Sequence, residues 1–280
     1  MGSILLFSDV HADVCALEEI LRLAFCSDFS KRYGPLEKAI NLGDVLERGH
    51  SPAEVVRRLM GLKGLESILG NHDEAFLYGM PVSGSDFESK LVHGEYRRTG
   101  EYKEFFRGMG KCYVDARNRL YCVHGGPIDP CAITPPRSCG VEAWLYTQPW
   151  QRISASRYVD ASGYHYTPGD AFDAVRPTFG GPGFAIVCGH EHEEAAYRQK
   201  GWVVEDILDT LKRAYFEMEG RKVHEKALPI DDDASYLVRL GIAGPEGYGK
   251  EDRCYFGVFT AGKNRAIYLL NFKPERPEHG

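Results

Sequence analysis

Short apolar runs recur along the chain at 4–7, 39–42, 67–69, 120–123 and 184–188, each broken off by a small or polar residue. Their Ile, Leu, Val and aromatic content is that of buried strands. Between the first two, Val14, Leu17, Ile20, Leu21 and Ala24 recur at helical spacing and predict an amphipathic helix over about 13–26. Ser51-Pro52-Ala53-Glu54 reads as a capping box with proline at the first helical position. Val55, Val56, Leu59 and Met60 give that second helix its apolar side. The first seventy or so residues thus read βαβαβ, which favours a parallel sheet with helices on its faces.

Beyond residue 110 the pattern turns to hairpins. The runs 111–114 and 120–123 flank the polar Asp115-Ala116-Arg117-Asn118-Arg119, and 254–260 and 265–272 flank Ala261-Gly262-Lys263-Asn264. A second, more antiparallel sheet packed on the first, with helices outside, is the architecture these imply. Residues 126–183, rich in Pro, Gly, Tyr and Trp, are too many for an idle loop. They are expected either to form a lid or cap over a pocket or to cover a sheet edge. A helix is expected within 205–235, followed by the acidic run Asp231-Asp232-Asp233 as a solvated turn.

Composition narrows the classes. A chain of 280 residues with 43% apolar content can bury a substantial core, and we read 1–280 as one domain carrying the 126–183 cap. No apolar stretch is long enough for a membrane span, and Asp9 and His11 directly after the first apolar run argue against a signal peptide. The eight cysteines form no Cys-x-x-Cys pair, as expected of free thiols in a reducing cytoplasm. Cys122 and Cys188 precede motif histidines by two positions and read as buried packing thiols. A net charge of −6 argues against nucleic acid as a partner.

The chemistry lies in the residues at the end of each apolar run. Ser8-Asp9-Val10-His11, Gly43-Asp44 with Arg48-Gly49, Gly70-Asn71-His72-Asp73, His124-Gly125-Gly126 and Gly189-His190-Glu191-His192 all begin where a strand should end. In open α/β sheets the crevice beyond the carboxyl ends of the strands is the usual ligand site. Taken singly, Asp44 reads as a helix cap, Asn71 as a left-handed turn residue and Arg48 as a surface ion-pair partner. Taken together, the blocks read as a two-metal phosphoester-hydrolysing site. Asp, His and Asn donors without thiolate suit manganese, iron, zinc or nickel. Two divalent ions against Asp9 and Asp44 leave a positive surplus for a phosphate, and ions about 3.5 to 4 Å apart can clamp an in-line displacement.

These blocks resemble, in order, those of the calcineurin-like metallophosphoesterases over most of residues 3–192. Ser-Asp-Val-His-Ala and Gly-His-x-His are similar to the bacterial and archaeal phosphodiesterases and diadenosine polyphosphate hydrolases of that superfamily. His124-Gly125-Gly126 and Asp-x-x-x-Arg-Gly are similar to its protein-phosphatase branch. Residues 235–272, with Gly241-Ile242-Ala243-Gly244, resemble the usual C-terminal part. The resemblance implies an α/β fold, a four-layer αββα sandwich of two mixed β-sheets flanked by helices, with a dinuclear metal site at the strand C-terminal ends. It implies Asp9, His11 and His192 on one metal, Asn71, His124 and His190 on the other, and Asp44 bridging. His72 would be the general acid, Arg48 the phosphate-orienting group, and Glu47 would stand where the phosphatase branch has a His-supporting Asp. His50, His93, His165, His224 and His279 fall outside the pattern and read as surface or structural. Glu191 and Glu193 read as solvated, and Asp73 equally as a helix cap or a supporting partner.

The expected function is a cytoplasmic, dinuclear metal-dependent phosphoesterase that hydrolyses phosphate mono- or diesters through metal-activated hydroxide. A phosphorylated small molecule or nucleotide is the expected substrate, with dinucleoside polyphosphates among the favoured class. Trp144, Tyr146, Trp150, Tyr158, Tyr164 and Tyr166 are candidates for stacking on a base or for packing a lid. A phosphoserine or phosphothreonine phosphatase is the rival enzyme, and a non-catalytic metal-binding scaffold the rival class.

Overall fold

A computed structural model of the chain describes residues 2–80, 87–248, 252–262 and 264–275. His279 and Lys263 lie outside them. The N-terminal strands are β1 (Ser3–Phe7), β2 (Leu36–Asn41) and β3 (Leu65–Ser67), followed by the hairpin of β4 (Cys112–Asp115) and β5 (Leu120–Val123). Then come β6 (Arg152–Ile153), β7 (Tyr158–Asp160), β8 (Gly163–Tyr166) and β9 (Ala185–Cys188). The remainder are β10 (Ala195–Lys200), β11 (Val203–Asp206), β12 (Lys212–Met218), β13 (Arg221–Pro229), β14 (Ala234–Arg239), β15 (Cys254–Thr260) and β16 (Ala266–Phe272).

Two large mixed sheets result. One runs β12-β13-β16-β15-β1-β2-β3, the other β11-β10-β14-β9-β5-β4, and a small third sheet is ordered β6-β8-β7. The strands that lead into the motif blocks are parallel within their sheets, β1 to β2 to β3 and β5 to β9. Side-chain alternation along them builds the layers. Ile4 and Leu6 of β1 and Leu120 and Cys122 of β5 share the apolar cluster between the sheets. Leu5 and Phe7 turn the other way, onto the helices Val14–Phe25 and Pro52–Met60, while Ile186 and Leu237 pack under the helix Pro168–Phe179. The order helix, sheet, sheet, helix is the αββα sandwich.

The helix Val14–Phe25 forms where its spacing predicts, with Asp13 Oδ1 accepting from Ala16 N at 3.0 Å and Leu17, Ile20, Leu21 and Ala24 buried. Cys122 and Cys188 are buried free thiols in apolar clusters on opposite faces of the second sheet. Among the described residues no helix is long and apolar enough to cross a membrane.

Several expectations are corrected. The capping box at Ser51 does not form, because its side chain makes no cap hydrogen bond, although Pro52 starts the helix. Met60 lies outside at 55% exposure, one position past the buried Leu59. The third strand is Leu65–Ser67, with Ile68 reduced to a bridge on Gly110. Segment 205–235 holds no α-helix: β12 and β13 form a hairpin, and Leu208–Thr210 is one 3₁₀ turn. Its alternation of exposed and buried positions has the period of a sheet edge. The terminal hairpin β15–β16 joins the first sheet beside β1, not the second. The acidic run, by contrast, is the exposed turn expected of it, with Asp232 paired to Arg265 and Asp233 to Lys200.

Candidate metal centre

Six of the seven predicted ligands sit on loops that leave strands, the seventh, Asn71, opens the helix Asn71–Tyr78, and the loops are tied to one another through their backbones. Asp9 N donates to Gly43 O at 2.9 Å, His11 N to Asp44 O at 3.0 Å, and Ala12 N to Val45 O at 2.8 Å. Gly189 N donates to His124 O at 2.8 Å, and Ala243 N and Gly244 N reach back to Ser8 O and Asp9 O at 3.0 Å. The 241–244 block therefore clamps the first loop. Crowding explains two of the motif glycines: a Cβ on Gly43, at φ +107°, would fall 2.5 Å from Gly70 N, and one on Gly189 would overlap Ser8 Oγ.

The backbone is strained in these loops and hardly elsewhere. Asp9, His11, Ala12, Asp44, Glu47, Arg48, His190 and His192 all have positive φ, leaving only Tyr102, Arg119 and Glu219 among the other described non-glycine residues. Such conformations cost energy and persist where surrounding structure over-determines them, which is common at functional sites. Asp73 is one such restraint. Its carboxylate accepts from Asp44 N at 2.8 Å, Val45 N at 2.9 Å and Gly70 N at 3.0 Å, so it is cap and supporting partner at once.

All seven predicted ligands converge. His192 Nε2 lies 3.4 Å from Asp9 Oδ1 and 3.1 Å from His11 Nε2. His124 Nε2 lies 3.1 Å from Asn71 Oδ1 and 3.3 Å from Asp44 Oδ2. Asp44 Oδ2 is also 3.9 Å from His11 Nε2, which puts it between the two groups. Asp9, His11 and His192 form one set able to hold an ion, and Asp44, His124 and His190 another; a third combines His11, Asp44 and His72.

Hydrogen bonds set the ring orientations. His11 Nδ1 and His124 Nδ1 face the carbonyls of Leu46 and Leu42 at 3.2 and 2.8 Å, leaving each Nε2 toward the cluster. Burial pushes His11 down to about 3 and His190 well below the ordinary histidine value, so both are neutral donors of a lone pair. Burial opposes ionisation of Asp44, but His124 and His72 more than offset it and hold the carboxyl well below its usual value. The same contact, against the cost of burial, raises His124 to about 9. His124 must release that proton to bind a cation.

Unmet buried atoms support the fit to metal ions. Asp9 Oδ1 and both ring nitrogens of His190 have no hydrogen-bond partner, although His190 is only 4% exposed. Buried polar groups are rarely left so, and an ion is a usual resolution. With carboxylate, imidazole and amide donors and no thiolate, the donor set suits divalent cations of borderline to hard character.

The three predicted non-ligand residues surround this cluster. His72 Nδ1 donates to Glu47 Oε2 at 2.8 Å, and its Nε2 is 4.0 Å from Asp44 Oδ2. Burial works against a charge on His72, yet Asp44 and Glu47 raise its pKa above the ordinary value. The Arg48 guanidinium lies over the ring of Tyr248, 5.3 Å from its centroid.

Four further neighbours carry no signal in the sequence. Tyr248 puts its hydroxyl 3.0 Å from His11 Nε2 and its ring edge-on to His192. Arg152 on β6 is close enough for Asp44 and Asp9 to act on its charge, and its own charge lowers the His190 pKa. His93, expected to be surface or structural, is buried with Nε2 3.1 Å from Glu47 Oε1. Glu74 accepts from Trp144 Nε1 at 2.6 Å and Thr147 Oγ1 at 3.3 Å, tying the 126–183 segment to the Asn71–Tyr78 helix. None of the four belongs to a short motif; fold alone brings them in. One other expectation changes: Glu191 is not solvated, since it accepts from Ile153 N at 3.0 Å and pairs with Arg239. Tyr146, Trp150 and Tyr166 are buried, as the packing alternative expects.

Comparison with known proteins agrees with this geometry. A family model for calcineurin-like phosphoesterases matches residues 2–194, and no curated protein matches the chain. Among solved structures, a metallophosphoesterase from Sphaerobacter thermophilus is similar at 16% identity, with 98% of this chain and 89% of that one covered and a TM-score of 0.53. A hypothetical protein from Pyrococcus horikoshii is similar at 14% identity, with 99% and 90% covered and the same TM-score of 0.53. The chain therefore belongs to the calcineurin-like phosphoesterase family and is a metal-dependent phosphoester hydrolase.

Proposed function

We propose that the chain hydrolyses small phosphate esters at a two-metal centre. Asp9, His11 and His192 would hold one divalent ion and Asn71, His124 and His190 the other, with Asp44 available to both. The observation that carries this is the position of Asp44 Oδ2, within 3.9 Å of His11 Nε2 and 3.3 Å of His124 Nε2. When bound, such ions supply Lewis acidity and a nucleophile drawn from water. Their charge, set against Asp9 and Asp44 alone, leaves the pocket positive toward phosphate.

The chain's own groups complete the chemistry. His72 holds a proton on Nε2 for the departing ester oxygen while Glu47 fixes Nδ1, as expected of a positioned general acid. Arg48, on the loop after β2, and Arg152, on β6, are the cations assigned to orient the phosphate oxygens, an arrangement that would favour a doubly charged terminal phosphate over a singly charged diester. Residues 126–183 act as a cap within a single domain, tied to the Asn71–Tyr78 helix by Glu74 and stiffened internally by Gln151, whose amide joins Ile128 and Tyr146. Base stacking loses support at Trp150, Tyr146 and Tyr166, which are buried, and is left to the exposed Tyr158 and the half-buried Trp144 and Tyr164. Manganese is the metal of first choice for assay.

A phosphoserine or phosphothreonine phosphatase is the second reading, favoured by Arg48 and by the His124-Gly125-Gly126 turn under Tyr166, whose hydroxyl donates to Gly125 O at 2.9 Å. Turnover of nucleoside monophosphates, a dinucleoside polyphosphate, bis-p-nitrophenyl phosphate and a phosphopeptide by the manganese-loaded protein separates them. The small monoesters are expected to give the highest kcat/KM. A phosphopeptide preferred over all of them would overturn the proposal, and a diester preference would remove the role given to the paired arginines.

A further inference from the structure

The supporting carboxylate of this chain is longer by one methylene than the aspartate that its neighbours in sequence pattern would suggest. That methylene adds a rotatable bond, and holding a glutamate in one rotamer costs side-chain entropy that an aspartate does not lose. Glu47 is nevertheless 2% exposed, and one oxygen, Oε2, is fixed by His72 Nδ1 at 2.8 Å. Its other oxygen faces His93 Nε2 at 3.1 Å. Neither Glu47 Oε1 nor His93 Nε2 makes a hydrogen bond to a described group, since at 3.1 Å the two are not aligned for one between them. An unmet buried carboxylate oxygen is costly, and a modest turn of the imidazole would make the two each other's partners.

His93 is itself held. It lies on the helix Phe87–Thr99, and its ring packs edge-on against Phe76 at 5.1 Å between centroids. Phe76 belongs to the helix Asn71–Tyr78 that begins with Asn71 and His72. The same packing therefore fixes His93 and His72 relative to each other, with Glu47 between them. We propose that His93 is a positioning residue for proton delivery, completing a chain His93–Glu47–His72 in which a second imidazole locks the longer carboxylate in the rotamer that aims His72.

This rests on the reading of His72 as the proton donor. In the step concerned, an oxygen drawn from water bonds to phosphorus as the bond from phosphorus to the ester oxygen breaks, the proton on His72 Nε2 passes to the departing oxygen, and His72 becomes neutral. Glu47 accepts a hydrogen bond from each ring throughout, and His93 keeps its proton. The effect of His93 is thus confined to substrates whose leaving group needs that proton.

The test is a series of aryl and alkyl phosphates spanning good to poor leaving groups, run with His93→Ala, His93→Gln, His72→Ala and the double variant His72→Ala/His93→Ala, with metal content measured on each. His93→Ala is expected to lower kcat about tenfold on poor leaving groups, with little change for p-nitrophenyl phosphate, KM or bound metal. His93→Gln, whose amide nitrogen can occupy the place of Nε2, should restore most of the loss. In the His72→Ala background His93→Ala should add nothing. Equal losses across leaving groups, no rescue by Gln, or full additivity with His72→Ala would overturn the proposal. If His72→Ala itself shows no leaving-group dependence, the assignment of His72 fails first, and His93 falls with it. Should His93→Ala prove unstable to heat, the Gln variant and the double variant still decide.

Discussion

At the scale of single residues, the site is a set of side chains placed by strained backbone and by buried hydrogen bonds. His72 illustrates how position separates two roles that adjacent residues share. Asn71 points its Oδ1 at His124, whereas His72 is tied to Glu47 and directs its other nitrogen toward the cluster from 4.0 Å. His72→Ala should therefore keep its metal while losing turnover by about 10²- to 10⁴-fold, the usual contribution of a positioned acid. The loss should shrink with p-nitrophenyl phosphate, whose leaving group needs little protonation. Steady-state kinetics paired with elemental analysis checks this, and loss of metal in the variant would make His72 a ligand instead.

At the scale of elements, the small β6-β8-β7 sheet and its flanks carry Arg152 and Trp144 to opposite duties. Arg152→Ala should raise KM for phosphate monoesters by roughly 10- to 100-fold, the loss of a charge-assisted contact of about 1.5 to 3 kcal/mol, with metal content unchanged. Trp144→Phe removes the indole donor to Glu74 and should destabilise by about 1 kcal/mol. Its KM should change equally for nucleotides and p-nitrophenyl phosphate. A selective loss with nucleotides would restore base stacking as its role. The sequence disclosed this level unevenly. Strands that end in motif blocks were legible because apolar runs stop abruptly at polar ligands, as at Phe7 and Val123. β12 and β13 were not, because an edge hairpin with exposed Lys212, Arg213 and Glu217 buries few residues and leaves a weak period. The sheet that β15 and β16 join was equally hidden, since register with β1 is a long-range choice. Ligands announced themselves by local spacing; Tyr248, Arg152 and His93 did not, because only the folded chain brings them near.

At the scale of the whole molecule, two sheets pack face to face and the candidate metal ligands gather from loops of both. Asp9, His11 and Asp44 leave the first sheet, and His124, His190 and His192 leave the second. Ions bound there cross-link the layers and should stabilise the folded state in proportion to their affinity. At a thousandfold excess over Kd the gain is about 4 kcal/mol, which for a chain of this size raises Tm by something on the order of 10 °C. Thermal unfolding with and without a chelator measures it, and an unchanged Tm would place the ions away from the sheet junction.

If two divalent ions share Asp44, elemental analysis of metal-replete, active protein, side by side with Asp44→Asn, will show it. Close to two ions per chain are expected in the wild type and a loss from both positions in the variant, whereas His11→Ala or His124→Ala first weakens one. One ion or none in fully active enzyme, or an Asp44→Asn variant that still holds both, would contradict it.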